Sequence, residues 1–316
     1  MRSTGLVFSE RFVDHDTGDG HPERADRLWA IHHKLRASDL WRRLEHMDFF
    51  PAAIAQIETL HALSYLQHVQ AACQAGDPYI DTPDSVICPK TYETALLAVG
   101  GVIEATDRVM RGELRNAFCA VRPPGHHAEH DHSMGFCIFN NVAIAAEHLI
   151  RDYKLQRVAI VDFDVHHGNG TQHLFENRDD VLFISLHQHP ATLYPGTGFE
   201  WETGEGSGQG ATLNLPMAPD SDDQIYQVVI ADKVIPLLDE FDPQFILISA
   251  GFDAAAADPL AEISLSTECF AWMTRIFCHA AGEHCHGRLV SVLEGGYDLE
   301  ALAEGVYAHV GELVKA

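Results

Sequence analysis

Five short runs of apolar, largely β-branched residues, each breaking off into a polar cluster, constrain this chain more than any other feature. The runs are Ala117–Val121, Val158–Val161, Val181–Leu186, Phe245–Ser249 and Leu289–Leu293. They lead into RPPGHHAE, DFDVHHGNG, SLHQHP, SAGFDAAAADPL and LEGGYD. A continuous apolar run predicts a strand buried on both faces. Helical patterns lie between the runs, at Asn141–Tyr153, Asp222–Glu240 and Thr267–Glu283. Strands alternating with helices predict an α/β domain on a parallel sheet covered on both sides. In open parallel sheets, sites form beyond the carboxyl ends of the strands. The five clusters are therefore expected to converge on one edge of the sheet.

Nothing in the sequence divides the chain: it has no repeat, low-complexity tract or Pro/Ser-rich linker, so one domain over residues 1–316 is expected. At 316 residues and 46% hydrophobic, the chain can bury a sizeable core. The 21 Lys and Arg against 46 Asp and Glu leave a formal charge of −25, which disfavours nucleic-acid phosphate as a partner. No apolar run is long enough to span a bilayer and none follows the first Arg as a secretory signal would, so a cytoplasmic protein is expected. The seven Cys contain no CxxC pair and read as reduced. The 21 His, many of them clustered, direct attention to metal or proton-transfer chemistry.

In Asp162-Phe163-Asp164-Val165-His166, side-chain alternation puts Asp162, Asp164 and His166 on one face just past a strand. An Asp oxygen and a neutral imidazole suit zinc, and Asp253 after FILISAGF is the natural third ligand. Two Asp and one His would leave coordination positions open, the catalytic pattern. The same tip is also compatible with a simple helix cap. In Arg122-Pro123-Pro124-Gly125-His126-His127, a turn fixed by two prolines and a glycine lets both rings reach a common water. Asp162 and Asn169 are suitable acceptors for their second nitrogens. A carboxylate behind one ring and an amide behind the other would separate their basicities and divide acid from base. In Leu293-Glu294-Gly295-Gly296-Tyr297, the glycines allow close approach and the Tyr hydroxyl could serve a developing oxyanion. His21-Pro22-Glu23-Arg24 reads as a helix start, the His279 to His286 region as a helix end and loop, and Asp220–Asp223 as a helix N-terminus.

Taken together and in this order, RPPGHHAE, GFCIFNNVAIAA, VDFDVHHGNGTQ, SAGFDAAAADPL and LEGGYDLE resemble the histone deacetylase family, from His21 to Leu299. GHHAE, Asn169 and EGGYDLE are closer to its second class and bacterial relatives than to its first. The resemblance implies an arginase/deacetylase fold: a single domain with a central, mostly parallel eight-stranded sheet flanked by helices. It implies zinc on Asp164, His166 and Asp253, His126 and His127 at the catalytic water, Asp162 and Asn169 behind them, and Tyr297 at the carbonyl. It further implies a potassium ion at Asp162, the backbone oxygens of Asp164, His166 and Leu186, and the Ser185 hydroxyl. The substrate tunnel would be walled by Gly135, Phe136, Tyr194, Leu260 and Gly295, with Leu193-Tyr194 where relatives commonly have Phe.

The activity so implied is zinc-dependent removal of acetyl or other acyl groups from lysine in a peptide or protein, or from a small amine. Homo-oligomerisation stays open. An acetylpolyamine deacetylase is the nearest alternative; one polyamine-selective subgroup places Glu after Asp-Pro, where this chain has Leu260 after Asp258-Pro259. A di-manganese ureohydrolase of the same fold would want further Asp and His ligands, and a non-catalytic acyl-lysine reader would lack hydrolysis.

Overall fold

The computed structural model describes residues 3–316. Among them, strands β1 (Ser3–Val7), β2 (Leu44–His46), β3 (Leu114–Cys119), β4 (Val158–Asp162), β5 (Val181–Gln188), β6 (Thr212–Met217), β7 (Phe245–Ala250) and β8 (Leu289–Leu293) form one sheet. Its order is β2-β1-β3-β8-β7-β4-β5-β6. Every neighbouring pair is parallel, so the sheet is wholly rather than mostly parallel. No two neighbours are joined by a tight hairpin; each parallel pair needs a long crossover, and these carry helices except between β5 and β6, where a loop with a short 3-10 turn makes the connection.

The helices are α1 (Asp26–Arg36), α2 (Ile54–Ile57), α3 (Leu63–Ala75), α4 (Thr91–Met110), α5 (Asn141–Tyr153), α6 (Asn169–Phe175), α7 (Asp223–Val229), α8 (Ile235–Phe241), α9 (Thr267–Cys285) and α10 (Leu299–Lys315). None is long and apolar enough to cross a membrane. Local chemistry sets their starts: the side chains of Asn140, Asp222, Ser266 and Asp298 accept from backbone N–H groups in the first turns of α5, α7, α9 and α10. The single helix expected over 222–240 is instead α7 and α8 joined by a wide π turn at Ile230–Val234. Pro236, at the start of α8, has no N–H with which to continue the α ladder. His21–Arg24 does not open a helix; α1 begins at Asp26.

All residues of β4, β5, β7 and β8 are buried. Each fully buried Val, Leu, Ile or Phe there contributes ~1.5–3 kcal/mol relative to exposure. This rigid centre positions the site. The five strands that end in polar clusters are consecutive in space, β3-β8-β7-β4-β5, although the chain visits them in a different order. Their carboxyl ends consequently deliver all five clusters to one crevice.

Candidate active site

Asp164 and His166 lie just beyond β4 and Asp253 just beyond β7, its neighbour in the sheet. All three are buried, and their ligand atoms lie within 4.8 Å of one another. His166 Nδ1 is 3.1 Å from both Asp164 Oδ1 and Asp253 Oδ2. Tetrahedral zinc ligands at about 2.0–2.1 Å from the ion stand roughly 3.3 Å apart, close to the spacing of His166 from each carboxylate. Backbone N–H groups hold the carboxylates: Gly295 donates to Asp164 Oδ2 (2.7 Å), His166 to Asp164 Oδ1 (2.9 Å) and Val165 to Asp253 Oδ1 (2.9 Å). The two carboxylates share the crowded charge unequally. Burial and repulsion by Asp164 push Asp253 up to about 7, whereas His126 and His166 hold Asp164 below the carboxylate range against its burial. A divalent cation would relieve that repulsion, and the donor set of two oxygens and one nitrogen fits zinc.

The paired histidines sit beside this triangle with ring centroids 4.0 Å apart. His126 Nδ1 is 3.0 Å from Asp162 Oδ2, and His127 Nδ1 is 2.6 Å from Asn169 Oδ1. Their surroundings separate them. Burial would lower His126, but Asp162 and Asp164 outweigh it and raise the imidazole to about 10, while burial lifts Asp162 itself to about 6. His127 lies well below its ordinary value because of burial and the neighbouring His126 and His166. These surroundings favour the charged form of His126 and the neutral form of His127.

Above them opens a cavity of about 260 Å3 lined by His127, His166, Gly135, Phe136, Leu193, Tyr194, Leu260, Tyr297 and Asp84. A larger cavity of about 780 Å3 at the other edge of the sheet contains none of these groups, so chemistry rather than size marks the site. Phe136 meets Tyr297 edge to face at 5.9 Å, and Tyr194 meets His127 likewise at 5.3 Å. Gly135 and Phe136 both take positive φ, and a Cβ at Gly135 would come within 2.2 Å of His127. Gly295 lies in the crevice but outside the cavity lining; a Cβ there would stand 2.1 Å from Asp253 Oδ2. Burial and Asp253 raise the Tyr297 phenol well above its ordinary value, so it stays protonated as a donor. Ser185 pairs in register with Asp162 across β4 and β5, and its hydroxyl is 2.8 Å from His187 Nδ1; Leu186 beside it is buried.

Sequence reasoning missed several groups. Asp84 reaches the tunnel wall and accepts from Gly135 N–H at 3.1 Å. Only tertiary contact could reveal it, since 51 residues separate the two. Asp258, within the quoted ADPL string, accepts from the N–H groups of Tyr297 (2.7 Å) and Leu260 (3.0 Å), tying the loop after β8 to the loop after β7. His21–Arg24 serves as an anchor. Its Glu23 is fully buried and bonds Arg122 Nη2 (2.8 Å) and Arg27 Nη1 (3.1 Å). Arg27 in turn donates to the carbonyls of Glu294 (2.5 Å) and Gly296 (2.6 Å), and its guanidinium lies 5.1 Å from the Tyr297 ring. In the His279 to His286 region, which is the end of α9 and the following loop, His284 contacts Asp239 (2.9 Å) and Asp242 (3.1 Å).

Residues 21–313 match the family model for the histone deacetylase domain. The chain is 42% identical over 299 residues to a probable deacetylase of Archaeoglobus fulgidus, covering 94% of this chain and 82% of that protein. It is 41% identical over 278 residues to a histone deacetylase-like amidohydrolase of Pseudomonas aeruginosa, covering 88% and 73% respectively. Among solved structures, the HDA15 HD domain superposes with a TM-score of 0.94 at 35% identity, covering 99% of this chain and 89% of that one.

Proposed function

The chain belongs to the histone deacetylase family, a family of deacetylases and amidohydrolases, and from that membership we propose that it hydrolyses the amide of an acylated amine using zinc held by Asp164, His166 and Asp253. The carrying observation is that His166, grouped with Asp164 and Asp253, lines one cavity together with His127 and Tyr297. When bound, zinc polarises an amide carbonyl and lowers the pKa of water. His127, with Nδ1 given to Asn169, keeps Nε2 neutral and free to take a proton from the attacking water. The same nitrogen then returns a proton to the departing amine. His126, held cationic by Asp162, places positive charge beside the developing oxyanion, and the Tyr297 hydroxyl donates to it. The products are a carboxylate and a free amine. The all-oxygen set of Asp162, Ser185 and the backbone of Asp164, His166 and Leu186 suits a hard cation, and we assign potassium there.

The catalytic unit we propose spans residues 1–316. Its substrate is an acyl-lysine, whose methylene stem suits a passage walled by Phe136, Leu193, Tyr194 and Leu260. One observation favours a second reading, an acetylpolyamine substrate: the Asp84 carboxylate also lines the cavity, where it could meet a distal ammonium. Seven unpaired cysteines support a reducing, cytoplasmic setting. The test is acetate release from acetyl-lysine peptides, longer acyl-lysines and acetylspermidine by one preparation, with and without a chelator. Chelator-sensitive release, fastest from an acyl-lysine, is expected. A preference for acetylspermidine would overturn the substrate assignment, and no hydrolysis by the zinc-loaded protein would overturn the activity.

A further inference from the structure

At the amino edge of the sheet, opposite the tunnel, a cavity of about 780 Å3 opens between the C-terminal parts of α9 and α10. Its charge inverts that of the chain. Arg115, Arg275 and Lys315 line it against the single acidic side chain Glu312, whereas the whole sequence has 21 Lys and Arg to 46 Asp and Glu. Donors there also outnumber acceptors. Glu312 accepts from Arg275 Nε (3.1 Å) and Lys315 Nζ (2.7 Å), which leaves the Nη groups of Arg275 for another acceptor. Arg115 enters no side-chain hydrogen bond or ion pair among the described residues.

Helix C-termini ordinarily disfavour anions. Here donors already occupy their carbonyls. Leu313 O accepts from Thr4 Oγ1 (3.2 Å) and Asn116 Nδ2 (2.9 Å), Ala281 O from Gly287 N–H (2.8 Å), and Cys285 O from Arg288 Nε (3.0 Å). Asn116, 1% exposed, backs the cavity with its Nδ2 given to Leu313 O. An adjoining cavity of about 490 Å3 shares Arg115 and Lys315 and adds Arg43. A Cβ built on Gly282 would meet nothing within 4 Å, so that wall stands open.

We propose that this cavity is a binding site for a small phosphate ester, its phosphate held by Arg115 and Arg275. Guanidinium forks match phosphate oxygens in pairs, and a dianion takes up the charge that Glu312 alone leaves uncompensated. Polymeric nucleic acid is repelled by the acidic remainder of the surface. The site lies apart from the tunnel and does not depend on the reaction proposed there.

Calorimetric titration of the zinc-loaded full chain with glycerol 3-phosphate tests it. One saturable site is expected, with no binding of glycerol, which lacks the phosphate. Arg115→Ala should weaken binding at least tenfold. Gly282→Leu, a substitution that suits a helix and fills the cavity without touching a charge, should do the same. Tyr297→Phe should leave the affinity unchanged. Absence of saturable binding, or an affinity retained within twofold by either cavity variant, would overturn the proposal.

Discussion

Tyr297, after β8, and Leu260, after β7, face the same cavity, both fixed through backbone bonds to Asp258, yet they bear on different questions. Tyr297 bears on the chemistry. Tyr297→Phe should fold and retain metal while losing about 2.7–4 kcal/mol of transition-state stabilisation, the usual cost of one oxyanion donor. Turnover and elemental analysis on the same sample check this, and near-normal turnover would move the donor role elsewhere. Leu260 bears on selectivity. It offers apolar surface, whereas Asp84, bonded through one oxygen to Gly135, already supplies a carboxylate. Leu260→Glu should shift the kcat/KM ratio toward acetylspermidine by only several-fold, because a partly exposed charge pair is typically worth about 0.2–1 kcal/mol. An unchanged ratio would remove Leu260 from substrate selection.

The loop after β8 and the ends of β4 and β7 form a single close-packed element, and Gly295 is where they touch. A Cβ there would stand 2.1 Å from Asp253 Oδ2 and 2.6 Å from Asp164 Oδ2, and both carboxylates are tied to backbone N–H groups. Gly295→Ala should therefore spoil the metal triangle while the sheet persists. Loss of metal content with unchanged far-ultraviolet dichroism is expected; full metal content would show that the loop yields. Elsewhere, α4 and α5 are clamped by His148, whose Nε2 is 2.6 Å from Asp107 and whose Nδ1 is 2.7 Å from Asp152. Burial opposes the imidazolium, but the two carboxylates prevail and raise it above its ordinary value. A raised folded value means the contribution is fully present below the unfolded value of about 6.5 and fades as pH rises through the folded one. His148→Gln should therefore destabilise the protein more at pH 5.5 than at pH 9, as read by urea midpoints. Equal losses at both would assign the clamp to packing.

At the scale of the whole molecule, strand order gathers the site: β3, β8, β7, β4 and β5 are neighbours in the sheet, and the chain threads β7 and β8 between strands laid down earlier. A metal bound across β4 and β7 thus ties together parts of the chain 87 to 89 residues apart, Asp164 and His166 with Asp253. Ligand linkage stabilises the native state by about 2.7 kcal/mol when the free metal stands at 100 times its dissociation constant. For a domain this large that amounts to a rise of roughly several degrees in Tm. A chelator should lower Tm and zinc should restore it, while a Tm indifferent to both would count against metal at the triad.

The α/β class and the central strands β3, β4, β5, β7 and β8 were legible in the residues, because burial on both faces writes a strand as an unbroken apolar run. Leu289–Leu293 and Asn141–Tyr153 have the bounds read from the sequence. So was the list of groups able to hold a metal or move a proton, since ligand chemistry belongs to residue type and local spacing. What remained for the tertiary structure were relations between distant segments. The order of the strands, the Asp84 carboxylate at Gly135, and the Glu23–Arg27 anchor beneath Tyr297 depend on which surfaces meet. The opposite protonation tendencies of His126 and His127 belong with them in their magnitude. Adjacent in sequence and alike in type, the two rings differ because burial and charges brought by other strands act on each through space, and such fields are set by packing.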